Sequence, residues 1–313
     1  PLRTPFRDRT VVAMPLPSSG GLAMIQILGL LERRLGEPPA APDDPAWLHL
    51  LVECMKHAFA DRARWGADDA YVDVPVDALT EGAYLDQLAA RIDPQRTFGL
   101  GHYGSADGEA LGIEDGGTSH LCVIDANGMA VACTETINLR FGSLVCVEPY
   151  GFLLNNEMDD FTTRLGAANA FGLRQAERNL PAPGKRPLSS MSPTIVLRDN
   201  RVELIAGASG GPRIISSTLQ CLLHALLFDL PAHEAMNRPR IHHQWRPDVV
   251  QLEIPRWREA DADGFDRLCR ALWNRGHAIR TRRDIGHAQL IRVTPAGIEA
   301  ACDPRKGGRP AGY

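Results

Sequence analysis

The 313-residue chain lacks most features that would assign it at a glance. It has no excess of positive charge: 34 Lys and Arg stand against 38 Asp and Glu, a net charge of -4. That balance gives no electrostatic footprint for nucleic acid or an anionic membrane surface, and neither partner is expected. No uninterrupted apolar run approaches the length of a membrane span. The seven cysteines (54, 122, 133, 146, 221, 269 and 302) are odd in number and contain no C-x-x-C pair. They argue against a disulfide framework or a cysteine zinc site, and their mostly apolar neighbours predict buried, reduced thiols. The 207–213 glycine turn fits neither G-x-x-x-x-G-K nor G-x-G-x-x-G, which leaves a nucleotide site there without its usual loop. The chain opens on Pro1-Leu2-Arg3, with no initiator methionine and no signal-peptide pattern, so a processed, truncated or precursor-derived chain is expected. Reduced thiols lean toward the cytoplasm, while such a start leaves periplasmic or secreted settings open.

What is present is ordinary globular composition, with 44% hydrophobic and 23% charged residues. The pattern predicts a strand at 10–14, then Pro15 to Gly21 leading into a helix to about Leu35, with Ser18 or Ser19 as N-cap. After a Pro-rich connection comes an amphipathic helix from Ala46 to Trp65 and another over 83–92. Residues 93–117 turn polar and Gly-rich, as a surface loop or a scissile linker would. Strands follow at 119–125, 129–136, 144–147, 152–155, 193–197 and 201–207. Helices are expected at 213–228, 232–236 and 260–275, with strands at 249–252, 278–282, 287–293 and 297–301. Strands grouped between two sets of helices imply an α+β fold, with sheets covered by helical layers.

The hairpin from Gly116-Gly117-Thr118 to Asn138, turning at Ala126-Asn127-Gly128, puts a threonine at the head of a strand. Were the Gly117–Thr118 bond cut, Thr118 would gain an α-amine able to serve as general base for its own hydroxyl. Thr136, at the far end of the hairpin, reaches that hydroxyl if the strand bends. Downstream, Glu157, Asp159 and Asp160 gather where an apolar strand ends and could hold an ammonium group. Ser189 and Ser190 offer O–H donors to a carboxylate, although serines in a Pro-flanked turn also serve simply as turn formers. Gly210 and Gly211 open a helix, where exposed N–H groups make an anion site such as an oxyanion hole. His57, His233, His242, His243 and His287 show no metal spacing and read as packing or surface residues; no metal or cofactor is expected.

Taken together, Thr118-Ser-His, Thr136-Ile-Asn138, LLNNEMDDF (153–161), KRPLSSMSPT (185–194), the 207–213 glycine turn, HHQW (242–245) and DPR…AGY (303–313) resemble, in that order, the small catalytic subunit of the γ-glutamyltranspeptidase family. Residues 1–117, including Pro17-Ser-Ser-Gly-Gly21 and the helix ending Ala60-Asp61-Arg62, resemble the C-terminal part of its large subunit; 118–313 resemble the whole small subunit. The resemblance implies a four-layer αββα sandwich of the N-terminal nucleophile hydrolase type, incomplete because the first part of the large subunit is absent. It implies autocatalytic cleavage before Thr118, which then attacks the γ-glutamyl carbonyl of a glutathione-like small molecule, with Thr136 supporting its hydroxyl. Asn138, Glu157 and Asp160 would hold the α-amino group, Ser189 and Ser190 the α-carboxylate, and Gly210 and Gly211 the oxyanion. Phe171 stands where a lid aromatic is expected, without the hydroxyl a tyrosine would turn to Asn138. The absent portion would carry an arginine that clamps the α-carboxylate, so the chain is expected either to be a fragment or to work with another polypeptide that supplies that portion. The alternatives are a related amidohydrolase or acylase with another acyl group, or an inactive fragment.

Overall fold

The computed structural model describes residues 1–104, 117–254 and 261–312. Residues 105–116 of the expected linker, Gly116 among them, lie outside the described residues, as do Ala260 and the final Tyr313. Two strands open the chain, β1 (Leu2–Phe6) and β2 (Arg9–Ala13). The first was missing from the sequence reading because Thr4-Pro5 breaks its apolar run. Helices α1 (Ser19–Arg34) and α2 (Pro45–Trp65) follow, then the short α3 (Val76–Thr80) and α4 (Gly82–Ala90). Asp44 starts α2 by accepting from Ala46 N at 2.7 Å and Trp47 N at 3.1 Å, with Pro45 in the first turn where its missing N–H costs nothing.

Beyond residue 117 come β3 (Thr118–Ile124), β4 (Ala130–Thr136), and the two-residue β5 (Cys146–Val147) and β6 (Phe152–Leu153). Next are β7 (Thr194–Arg198), β8 (Arg201–Ser209), α5 (Arg213–Leu227), α6 (Ala232–Asn237), β9 (Ile241–His242) and β10 (Val250–Glu253). Helix α7 (Ala262–Asn274) and strands β11 (Ile279–Arg282), β12 (His287–Thr294) and β13 (Gly297–Cys302) complete the set.

One six-stranded sheet, in the order β1-β2-β7-β8-β12-β13, organises the molecule, and every neighbouring pair in it is antiparallel. Its strands come from both sides of residue 117, so the two segments share one core. Helices α1 and α5 pack on the sheet, with α2 against α1. The β3–β4 hairpin packs on β8 as a second, two-stranded sheet. Strand β8 is therefore sandwiched, and Leu204 through Ser209 are all buried. The hairpin's other face is open: Leu121, Val123 and Val131 are each about half exposed. The layers observed are helix, sheet and a partial second sheet.

The cysteine reading needs correction. All seven thiols are free, but only Cys54 and Cys221 are buried, and Cys146, on the short β5, is exposed. An apolar neighbourhood in sequence does not bury a side chain on an uncovered ribbon.

Candidate active site

The register of the hairpin decides where Thr118 points. Thr118 pairs directly with Thr136, and the inward set Thr118, His120 and Cys122 alternates with the exposed Ser119, Leu121 and Val123. A one-residue slip would turn the hydroxyl outward. Thr118 Oγ1 lies 3.0 Å from Thr136 Oγ1. No bend is needed for this, contrary to the sequence expectation, because the pairing itself brings the two ends together. Thr136 Oγ1 accepts from Asn138 N at 2.8 Å, which leaves its own proton for Thr118. Asn138 takes a positive φ of 72° to make that turn, and its Nδ2 donates to Asn156 O at 3.0 Å.

Ahead of Thr118, the Gly117 carbonyl accepts from Ile137 N at 3.1 Å. A Cβ on Gly117 would fall 2.1 Å from Leu139 O, so only glycine fits beneath that backbone. The carbonyl of Thr118 itself accepts from Lys306 Nζ at 2.6 Å. Lys306 is aimed by the DPR turn around the buried Asp303: Asp303 Oδ2 accepts from Arg240 Nη1 at 2.7 Å, and Arg305 donates to Asp303 and to Glu253. The two arginines hold the Asp303 carboxyl well below the usual carboxylate range despite its burial.

Among the described residues no histidine or carboxylate side chain hydrogen-bonds Thr118 Oγ1. His120 is near in sequence but is turned to Thr134 Oγ1 at 2.8 Å, and burial pulls its imidazole down to about 4, so it is neutral at pH 7.

Around Thr118 closes a cavity of about 20 Å³, which Thr136, Asn138, Glu157, Asp160, Ser189 and Ser190 all line. Gly211 and Phe171 line it too. Every expected substrate-side residue is thus brought to one place from three separate segments, 138, 157–160 and 189–190. Gly210 is not in the wall: it abuts Gly286, whose Cα would lie 2.9 Å from an added Cβ. The carbonyls of Gly210 and Gly211 accept from Arg213 N and Ile214 N at the start of α5, while among the described residues their own N–H groups enter none of the turn and loop backbone bonds. Phe171 is buried with its ring against Gly211, and its carbonyl accepts from Gln244 Nε2 at 3.1 Å. Gln244 is in turn bonded to His242, and His242 to Ser216 of α5. The HHQW motif therefore anchors the backbone at Phe171, a contact its sequence did not reveal.

Asp160 is fixed by Asn169 Nδ2 at 3.1 Å, and its carbonyl by Asn179 Nδ2 at 2.7 Å. The serine pair is held by the start of α1. Ser19 N and Oγ both donate to Ser189 O, at 2.9 and 2.6 Å, and Ser18 Oγ donates to Met191 O. Ser18 takes the expected N-cap position of α1, but its side chain makes no cap bond. These hydroxyls are spent on the 189–192 loop, and Gly20 allows the close approach: an added Cβ would lie 2.2 Å from Ser192 Oγ. Arg62, from the last turn of α2, reaches both segments, with Nε donating to Ser19 Oγ at 2.8 Å and Nη2 to Ser190 Oγ at 3.0 Å. Sequence reading had not placed Arg62 at the site.

A second polar cluster, His49, Glu53 and His277, brings three possible ligand atoms within 4.8 Å of one another. His49 and His277 are already bonded to each other at 2.7 Å, His49 Nε2 to Asp93 O, and Glu53 to Thr97 and Tyr103. The group is satisfied as it stands, and the Lys56 ammonium nearby disfavours a further cation.

The chain matches the family model described as gamma-glutamyltranspeptidase over residues 1–313. It is 40% identical over 308 residues to the glutathione hydrolase proenzyme of Pseudomonas aeruginosa, a match covering 97% of this chain and 53% of that protein. The solved gamma-glutamyltranspeptidase of Pseudomonas nitroreducens, complexed with L-DON, superposes with a TM-score of 0.55 at 41% identity, covering 62% of this chain and 97% of that one. Cephalosporin acylase from Bacillus halodurans superposes with a TM-score of 0.75 over 97% of this chain and 51% of its own, at 22% identity, a likeness of fold alone. The chain spans about half the length of the curated relatives it matches. With the strand-head threonine, the lined cavity and a full-length family match in agreement, the chain belongs to the gamma-glutamyltranspeptidase family of N-terminal nucleophile hydrolases.

Proposed function

We propose that this chain carries the catalytic half of a γ-glutamyl hydrolase or acyltransferase acting on glutathione-like amides, activated by cleavage between Gly117 and Thr118. The observation that carries the reading is Thr118 Oγ1, 3.0 Å from Thr136 Oγ1, opening on a cavity shared by two carboxylates and two serines. In the maturation step Thr118 Oγ attacks the Gly117 carbonyl carbon and the peptide nitrogen leaves with a proton; water then hydrolyses the resulting ester. The products are a carboxylate on Gly117 and an α-amine on Thr118. With no side-chain base on Oγ1, that amine is the group available to take its proton. The nucleophile then attacks the γ-carbonyl of the substrate, the N–H groups near Gly211 stabilise the oxyanion, and the amine product departs. Water or an acceptor amine releases the glutamyl group.

Glu157, Asp160 and Asn138 would hold the substrate ammonium, and Ser189 and Ser190 its carboxylate. A cavity of about 20 Å³ has room for roughly one water and none for a glutamyl group. Phe171 must therefore swing off Gly211 to admit substrate. The open apolar face of β3–β4 supports a further part of this reading, that another stretch of polypeptide completes the second sheet and its wall.

The test is release of product from a γ-glutamyl anilide compared with a glutaryl anilide, which lacks the ammonium. Turnover of the first alone supports the γ-glutamyl reading; equal turnover of both points to an acylase.

A further inference from the structure

Arg62 is 3% exposed, yet among the described residues it takes part in no ion pair. Asp160 is the carboxylate whose field it feels. Burial lowers the guanidinium to about 10, so it stays charged at neutral pH. Its visible contacts are with two neutral hydroxyls, Ser19 Oγ and Ser190 Oγ. A buried charge without a counter-ion is costly, and one lying directly behind a ligand cavity is relieved when an anion enters.

The hydrogen-bond directions sharpen the point. A guanidinium can only donate, so Ser190 Oγ accepts from Arg62 and its own proton is turned elsewhere. Ser190 lines the cavity. Ser19 Oγ likewise accepts from Arg62 and passes its proton to Ser189 O at 2.6 Å, which fixes the backbone of the neighbouring serine.

We infer that Arg62 is a positioning residue for an anionic ligand group: it commits the Ser190 hydroxyl to donating into the cavity, and it supplies the buried positive charge that a ligand carboxylate there neutralises. The inference rests on the reading of the site as one for γ-glutamyl substrates. It assigns to the end of α2 a share of carboxylate recognition that does not require direct contact with substrate.

The experiment compares two anilides on the processed, full-length enzyme: the γ-glutamyl compound, and 4-aminobutyryl anilide, which keeps the ammonium and lacks the carboxylate. The wild-type preference for the first is the control. If wild type shows no preference, the reading of the cavity fails before Arg62 is tested. If it does, Arg62→Gln is expected to lower the preference by about 10- to 100-fold, the worth of one buried charge-assisted interaction. The loss should fall on KM for the glutamyl compound, with kcat/KM for the 4-aminobutyryl compound held within about threefold. Arg62→Lys keeps the charge but cannot span both serines, and should give an intermediate preference. A brace with no part in recognition would instead depress both substrates alike and leave their ratio unchanged, and that result overturns the inference. Should the Gln variant fail to fold, the ratio measured on Arg62→Lys decides in the same way.

Discussion

Thr118 and Thr136 are opposite partners in the β3–β4 ladder, with their hydroxyl oxygens 3.0 Å apart on the face turned toward β8. The strand register and the orientation of the proposed nucleophile are thus one and the same feature. Replacing Thr136 by Val keeps the shape and β-propensity but removes the hydroxyl. It should lower kcat by about tenfold, the worth of one hydrogen bond, while Thr136→Ser stays near wild type. Steady-state kinetics on both variants checks this, and equal effects would show that the hydroxyl is not what matters.

Gly117→Ala meets backbone atoms on two sides, Leu139 O at 2.1 Å and Asn138 O at 2.5 Å from the added Cβ. The strand head must move, and splitting of the chain should slow by at least about tenfold. A time course on a denaturing gel would show it, and an unchanged splitting rate would mean that the local backbone yields freely.

Asp303→Asn leaves Arg240, fully buried, facing a neutral amide. Breaking such a pair on one side costs about 3–5 kcal/mol, so chemical denaturation should show a loss of that order. Because Lys306 is aimed by the same turn, splitting before Thr118 should slow as well.

Acid should unfold the protein through its histidines. Burial pulls His120 and His224 down to about 4, and His57 and His242 to about 3, from an ordinary value of 6.5. The unfolded chain therefore binds more protons than the folded one between these limits, and stability rises with pH across that window. The contribution is fully present above pH 6.5 and is lost as pH falls from there to between 4 and 3. Thermal melts from pH 8 to 4 should show a flat plateau and then a steep drop below about 6.5. A transition temperature that holds steady down to pH 4 would contradict the assigned burial.

Much of this architecture was legible in the chain itself, because local chemistry and fold agree. Asp44-Pro45 announces the start of α2, and the hairpin alternation and Asn127-Gly128 turn announce β3 and β4. The cavity residues were legible as a constellation of motifs, and only Gly210 falls outside the wall. What escaped depends on contacts between distant segments. Ser18 and Ser19 have the chemistry of helix caps, and nothing local says that their hydroxyls go instead to a loop 170 residues away. Arg62 reads as an ordinary cation in the last turn of a helix until its partner at Ser190, 128 residues on, is seen. His49 and His277, separated by 228 residues, meet only because α2 packs beside α7 and the turn that follows it.

The central claim is that Thr118 becomes a chain end and then attacks. Intact-mass spectrometry of the purified protein, wild type beside Thr118→Ala, tests it most directly. The account predicts two fragments for wild type, divided between Gly117 and Thr118, and a single uncut chain without turnover for the variant. A wild-type chain that remains whole while hydrolysing a γ-glutamyl anilide, or a variant that still splits there, would contradict it.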